Sequence, residues 1–142
     1  MTTYQLYTDG GARGNPGPAG VGFVLKKNGK KVKEFGQYIG VATNNQAEYQ
    51  ALIMGLAYWL EAEDTESSTI DLMLDSELIV KQIEGSYKVR DDKLKPLYAK
   101  AKSMLHGCQK FTIQHIPRSL NAEADKLVNM AIDEATSKRP NS

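Results

Sequence analysis

Residues 8–22 constrain this chain more than any other stretch: Thr8-Asp9-Gly10-Gly11 leads into Gly14, Asn15, Pro16, Gly17, Pro18 and Gly20, closing at Gly22. Before it, Tyr4-Gln5-Leu6-Tyr7-Thr8 is rich in aromatic and β-branched residues and predicts a strand that ends on the carboxylate of Asp9. The glycines and prolines behind the acid predict tight turns and leave no bulk beside it. An acid at a strand end next to uncovered backbone suits a metal ion or a phosphate. Alone, however, Asp-Gly is an ordinary turn dipeptide, so the meaning of Asp9 depends on whether other acids converge on it.

The rest of the chain alternates in type. Val21–Leu25 and Val32–Ile39 predict two strands joined at Asn28-Gly29, the pair that favours a two-residue hairpin turn with positive φ at both positions. Thr43 to Glu48 opens a helix with good capping residues, and Ala51, Leu52, Gly55, Leu56 and Trp59 recur at three-to-four spacing as its packed face through about Leu60. Ile70–Leu74 is a short apolar strand ending on Asp75-Ser76, followed by a helix over Glu77–Glu84 that Gly85 stops. A second helix runs from Leu94 or Pro96 to His106, where the histidine is a dipole partner at the C-terminal end. Phe111–Ile116 alternates like a strand up to Pro117, and Ser119 or Asn121 caps a last helix through about Ala135. Leu120, Ala124, Leu127, Val128, Ala131 and Ile132 form the inner stripe of that helix, and residues 136–142 read as a frayed tail. A hairpin meander followed by alternating helices and strands implies an α/β fold, a mixed sheet with helices packed on it.

Four acids stand in an unusual context: Asp9 and Asp75 after strands, Glu48 and Asp125 in the first turns of helices. Each has an ordinary explanation as turn former, cap or dipole partner. They differ from surface acids such as Glu61, Glu63 and Glu66 because each adjoins an apolar or small-residue segment that should be buried. Carboxylates gathered in one buried place need protons or cations to offset their charge. An all-oxygen set fits Mg²⁺ or Mn²⁺ and disfavours zinc. Two such ions about 4 Å apart support phosphodiester hydrolysis.

The 142 residues suit a single domain with one sizeable core. Net charge, +1, argues neither for nor against a polyanionic partner, and the lysines at Lys26 to Lys33 and Lys81 to Lys102 form no dense basic run. Cys108 is the only cysteine, which excludes an internal disulfide and a cysteine metal cluster. Without an apolar span or a signal-peptide pattern, the expected location is the cytoplasm, with no membrane partner.

Taken together, Thr8-Asp9-Gly10-Gly11 with Gly14 to Gly22, Thr43-Asn44-Asn45-Gln46-Ala47-Glu48, Asp75-Ser76 and Asn121-Ala122-Glu123-Ala124-Asp125 resemble the ribonuclease H family of type 1, in order from Tyr4 to about Ala135. The resemblance implies a five-stranded sheet, an antiparallel three-strand meander plus two parallel strands, with helices on both faces. It implies that Asp9, Glu48, Asp75 and Asp125 are catalytic acids that hold two Mg²⁺ ions, with Mn²⁺ as a substitute. Asp9 would bridge both ions, Glu48 would lie on the leaving-group side and Asp125 on the side of the attacking water. The implied substrate is an RNA/DNA hybrid, whose RNA strand is cut to leave 5′-phosphate and 3′-hydroxyl ends by a monomer without an obligate protein partner. Gly11, Asn44 and Asn45 take the places that face the minor groove, Asn15 and Thr43 those that hold a DNA-strand phosphate, and Gly10 is implied with them as substrate-binding. Reading a hybrid through its shape and 2′-hydroxyls agrees with such contacts.

Three departures bear on what carries over. Residues 85–92 are too short for the basic helical protrusion found in many bacterial members, which leaves hybrid affinity lower or borne by Lys88, Arg90, Lys93 and Lys95. Glu77 stands where some relatives carry a glutamine that touches the hybrid. His115 lies at a distance before Asp125 comparable to that of the family's mobile histidine, but a packing histidine at a strand end reads the same, and Arg118 could assist a leaving phosphate instead. Rival readings are a related nuclease of double-stranded RNA or DNA junctions, and an inactive hybrid-binding module. With no separate hybrid-binding domain ahead of Tyr4, low processivity is expected.

Overall fold

A computed structural model describes residues 2–63, 65–108 and 110–137 of the chain. Its sheet is built from β1 (Thr2–Ala12), β2 (Gly17–Lys27), β3 (Lys30–Ala42), β4 (Ser68–Leu74) and β5 (Phe111–His115). The helices are α1 (Asn44–Ala62), α2 (Glu77–Glu84), α3 (Lys95–His106) and α4 (Ala122–Thr136), the last entered through a 3₁₀ turn at Arg118–Asn121. The strand order is β3-β2-β1-β4-β5, with β1, β2 and β3 antiparallel and β4 and β5 parallel to β1.

Asn28 and Gly29 form the predicted turn between β2 and β3, with φ of 50° and 86°. The turn is also tied to β1, because Thr3 N donates to Asn28 Oδ1 at 3.0 Å and Asn28 N to Thr3 O at 2.8 Å.

The glycine-rich run is not the loop its composition predicts. Strand β1 continues through Asp9, Gly10 and Gly11, pairing Asp9 with Gly22, and only residues 13–16 bend. Its glycines serve clearance more than turning. A Cβ on Gly10 would lie 2.2 Å from the Ala47 carbonyl of α1, and one on Gly22 would lie 2.6 Å from the Ala124 oxygen of α4. The two helices therefore press on opposite faces of the sheet at the level of Asp9.

Thr43 caps α1 in a reciprocal box, its hydroxyl accepting from Gln46 N at 3.2 Å while Gln46 Oε1 accepts from Thr43 N at 2.8 Å. Ala51, Leu52, Gly55, Leu56 and Trp59 are buried, as their spacing predicts, and Leu52, Leu56 and Trp59 pack with Leu6, Leu25, Ile70 and Leu72 into the main core. Each large side chain so buried contributes roughly 1.5–3 kcal/mol. Helix α2 is capped by Ser76, whose Oγ accepts from Ile79 N at 3.3 Å, and ends at Gly85 with φ of 93°. Residues 85–94 contain no helix, so there is no protrusion between α2 and α3.

Helix α4 packs Ala124, Val128 and Ile132 inward. Leu120 departs from the expected stripe: the helix starts only at Ala122, so Leu120 lies in the 3₁₀ turn and is 64% exposed. Asn121 also departs from its expected role, since its side chain makes no capping bond. Thr136 is helical, its Oγ1 donating to Ile132 O at 2.7 Å, and residues 138–142 of the expected tail lie outside the described residues. Among the described residues, no helix is long and apolar enough to cross a membrane.

Candidate active site

The ladder between β1 and β4 ends at the pair Thr8 and Leu74, and the next residue of each is an acid: Asp9, still within β1, and Asp75, just past β4. Asp9 and Asp75 thus sit side by side where the parallel ladder opens toward the carboxyl side of both strands, the side on which ligands of α/β sheets gather. Because Ser76 already caps α2, Asp75 is not needed for that purpose. Glu48 lies beyond the first turn of α1 and accepts from Gly10 N at 2.7 Å, so it is turned toward β1 and does not serve the helix terminus. One carboxylate oxygen from each of Asp9, Glu48 and Asp75 lies within 4.8 Å of the other two. Asp125, in the first turn of α4, lines the same cavity outside that tight group of three.

The electrostatics follow from this crowding. Asp9 is 7% exposed, and burial, then Glu48, Asp75 and Asp125, push its carboxyl up to about 9. Glu48 is part-buried as a residue while its carboxyl is enclosed, and burial followed by the charge of Asp75 pushes it up to about 8. The Gly10 N–H, Asp9 and Arg118 pull in the opposite direction without cancelling those effects. Without a cation the cluster retains protons at neutral pH. An all-oxygen donor set whose crowded charge only protons or a cation can offset fits a hard divalent ion.

The cavity has a volume of about 150 Å³, and its lining includes Gly10, Gly11, Asn44 and Arg118 beside the four acids. Asn44 is held there by accepting from Ala12 N at 2.8 Å through Oδ1. Asn15 borders the site, its Oδ1 accepting from Asn44 N at 3.0 Å, and Thr43 is occupied in capping α1. Asn45 is part-buried near the start of α1 and does not line the cavity. Of the two basic candidates, Arg118 lines the cavity, whereas His115 is exposed at the end of β5 and does not. Lys88, Arg90, Lys93 and Lys95 are all exposed, with Lys95 paired to Asp92 at 3.1 Å.

Sequence reasoning missed three residues. Arg13 bridges to α4, its Nη1 donating to Asp133 at 2.6 Å and its Nη2 to Asn129 Oδ1 at 3.2 Å, and both Arg13 and Asn129 line the cavity. Nothing local in the sequence marks that long-range pair. Asn121 is 1% exposed and donates through Nδ2 to Thr8 O at 2.8 Å and to Asp75 Oδ2 at 3.0 Å. Its place at a helix start made a cap the simpler expectation.

A mixed five-stranded sheet with carboxylates where β1 and β4 part and on helices from both faces defines the ribonuclease H-like class. The family profile described as "Reverse transcriptase-like" matches residues 7–131. Ribonuclease HI of Halobacterium salinarum is 45% identical over 132 residues, covering 92% of this chain, and the chain spans 65% of that relative's length. Among solved structures, LC11-RNase H1, isolated from compost by a metagenomic approach, superposes with a TM-score of 0.90 at 45% identity over 96% of this chain and 100% of that one. The same enzyme in complex with an RNA/DNA hybrid gives 0.88 at 44% identity, over 94% and 99% of the respective chains. The chain belongs to the type 1 ribonuclease H family.

Proposed function

We propose that this chain is a divalent-metal-dependent endonuclease that hydrolyses the RNA strand of RNA/DNA hybrids, leaving 5′-phosphate and 3′-hydroxyl ends. The observation that carries this is the trio of carboxylate oxygens within 4.8 Å of one another in a family whose LC11 member has been solved with a hybrid. Asp9, Glu48, Asp75 and Asp125 would hold two Mg²⁺ ions, with Mn²⁺ as a substitute. Such ions supply charge neutralisation at the scissile phosphate and lower the pKa of water enough to make it a nucleophile near neutral pH.

The chain's own groups do the positioning. Gly10 N–H holds Glu48 in place, and Gly11, where a Cβ would meet nothing closer than 3.8 Å, leaves the backbone open to a ribose. Asn44 lines the cavity, and Asn15 and Thr43 stand at the N-terminus of α1, which favours a phosphate of the DNA strand. Arg118 brings a guanidinium near Glu48, suited to a leaving phosphate oxygen. All four acids come from one copy, so a monomer suffices.

Labelled RNA/DNA hybrid, double-stranded RNA and a DNA junction, each incubated with Mg²⁺, Mn²⁺ or chelator, test the proposal. Cleavage confined to the RNA of the hybrid and abolished by chelator is expected. Equal cleavage of the other substrates, or cleavage in chelator, would overturn it.

A further inference from the structure

Asn121 stands where two strands separate. The ladder between β1 and β4 has its last rung at Thr8 and Leu74, and the amide of Asn121 is wedged just beyond it. The single Nδ2 group serves two acceptors, Thr8 O at 2.8 Å and Asp75 Oδ2 at 3.0 Å, one hydrogen for each. The amide cannot be turned over, because its oxygen would then face a carbonyl and a carboxylate. Its own Oδ1 is buried without a hydrogen-bond partner. A residue that spends its donors here, leaves its acceptor unmatched and does not cap its own helix is specialised for these two contacts.

Thr8 immediately precedes Asp9, so one amide couples the backbone leading into the first acid to the carboxylate of the third. We propose that Asn121 is a positioning residue that sets the spacing and rotation of Asp75 relative to Asp9, and through it the site's affinity for Mg²⁺ and its preference for that ion. This rests on the metal-binding reading of the cluster given above. Groups that orient metal ligands typically govern 10–100-fold of affinity. Mg²⁺ tolerates little departure from octahedral geometry, whereas Ca²⁺ accepts flexible coordination. Loosening Asp75 should therefore penalise Mg²⁺ more than Ca²⁺.

The test uses Asn121→Leu, which keeps the volume and removes both donors, with Mg²⁺ and Ca²⁺ binding measured by calorimetry on the full chain. Mg²⁺ affinity should fall about 10–100-fold, with a smaller loss for Ca²⁺. In an Asp75→Asn background the same substitution should change Mg²⁺ affinity by less than about threefold, the non-additivity of residues acting as a unit. A variant that melts earlier yet binds both ions as the wild type does would overturn the proposal, because its role would then be packing alone. Should the variant not fold, the wild type decides: the Asn121 side-chain NH₂ resonances should shift during a Mg²⁺ titration with the midpoint of binding, and resonances indifferent to bound Mg²⁺ would overturn it. A wild-type chain that binds no divalent ion sinks the metal reading itself, while normal wild-type binding with an unaffected variant sinks only the role of Asn121.

Discussion

The backbone N–H of Gly10 donates to Glu48 Oε1 at 2.7 Å, across a contact between β1 and α1 so close that residue 10 has no room for a Cβ. A strand and a helix far apart in sequence are thereby locked at the point where their two acids meet. Gly10→Ala should force them apart, since the added carbon would meet backbone, which cannot rotate away. Overpacking of this kind costs about 1–3 kcal/mol, measurable by denaturant unfolding. Hybrid cleavage should fall about 100-fold, because misplacement by about 1 Å has that effect.

Asp9 makes the metal-free protein less stable as pH rises. Its folded-state pKa is raised from 3.8 to about 9, so the native state binds the extra proton, and stability is lost as pH climbs through that window. Glu48, raised from 4.5 to about 8, adds a loss of the same sign. Asp9→Asn should therefore raise the Tm of the metal-free chain, with the gain near zero below pH 4 and growing toward pH 9. The same variant should abolish cleavage. Thermal melts across pH in chelator, beside a cleavage assay, check both outcomes.

Ion binding at pH 7 should release protons, since Asp9 and Glu48 hold them there in the metal-free state. Mg²⁺ affinity should then rise with pH until about pH 9. Calorimetry in two buffers of different ionisation enthalpy gives the number released. A binding heat independent of buffer would contradict the assignment.

Arg118 and His115 should part ways under mutation. Arg118 lines the cavity, and its charge acts on Glu48, so Arg118→Ala should lower kcat about tenfold or more. His115 is exposed on an edge strand, and His115→Ala should stay within about twofold of the wild type. Single-turnover cleavage of the hybrid separates the two.

What could be read from the sequence was whatever local chemistry determines. Asn28-Gly29 announced its hairpin because both residues tolerate positive φ, and the capping residues that begin at Thr43 announced α1, although that the cap is reciprocal with Gln46 emerged only from the structure. The structure brings all four acids to one cavity, although β1 runs on past Asp9 to Ala12 and Glu48 lies beyond the first turn of α1, so only Asp75 and Asp125 stand directly at a strand end and a helix start. The glycines of residues 10–22 misled for a physical reason. A glycine that turns the chain and one that admits a crossing helix look alike until the partner is known, here Ala47 or Ala124. Leu120 was misplaced because a 3₁₀ turn precedes α4 and rotates its side chain away from the helical phase, whereas Asn121 does stand at the N-cap position but turns its amide to Thr8 and Asp75. The Arg13 bridge to Asp133 joins residues with no local relation at all.

The cavity draws on β1, α1, the end of β4 and α4, so its first and last acids are separated by most of the chain. Asp9, Glu48 and Asp75 all precede α4, so the trio of oxygens draws nothing from that helix, and only Asp125 depends on α4 being seated on the sheet. On the metal reading proposed above, the fourth carboxylate therefore joins the cavity only through the docking of α4, which ties completion of the donor set to the packing of Ala124, Val128 and Ile132.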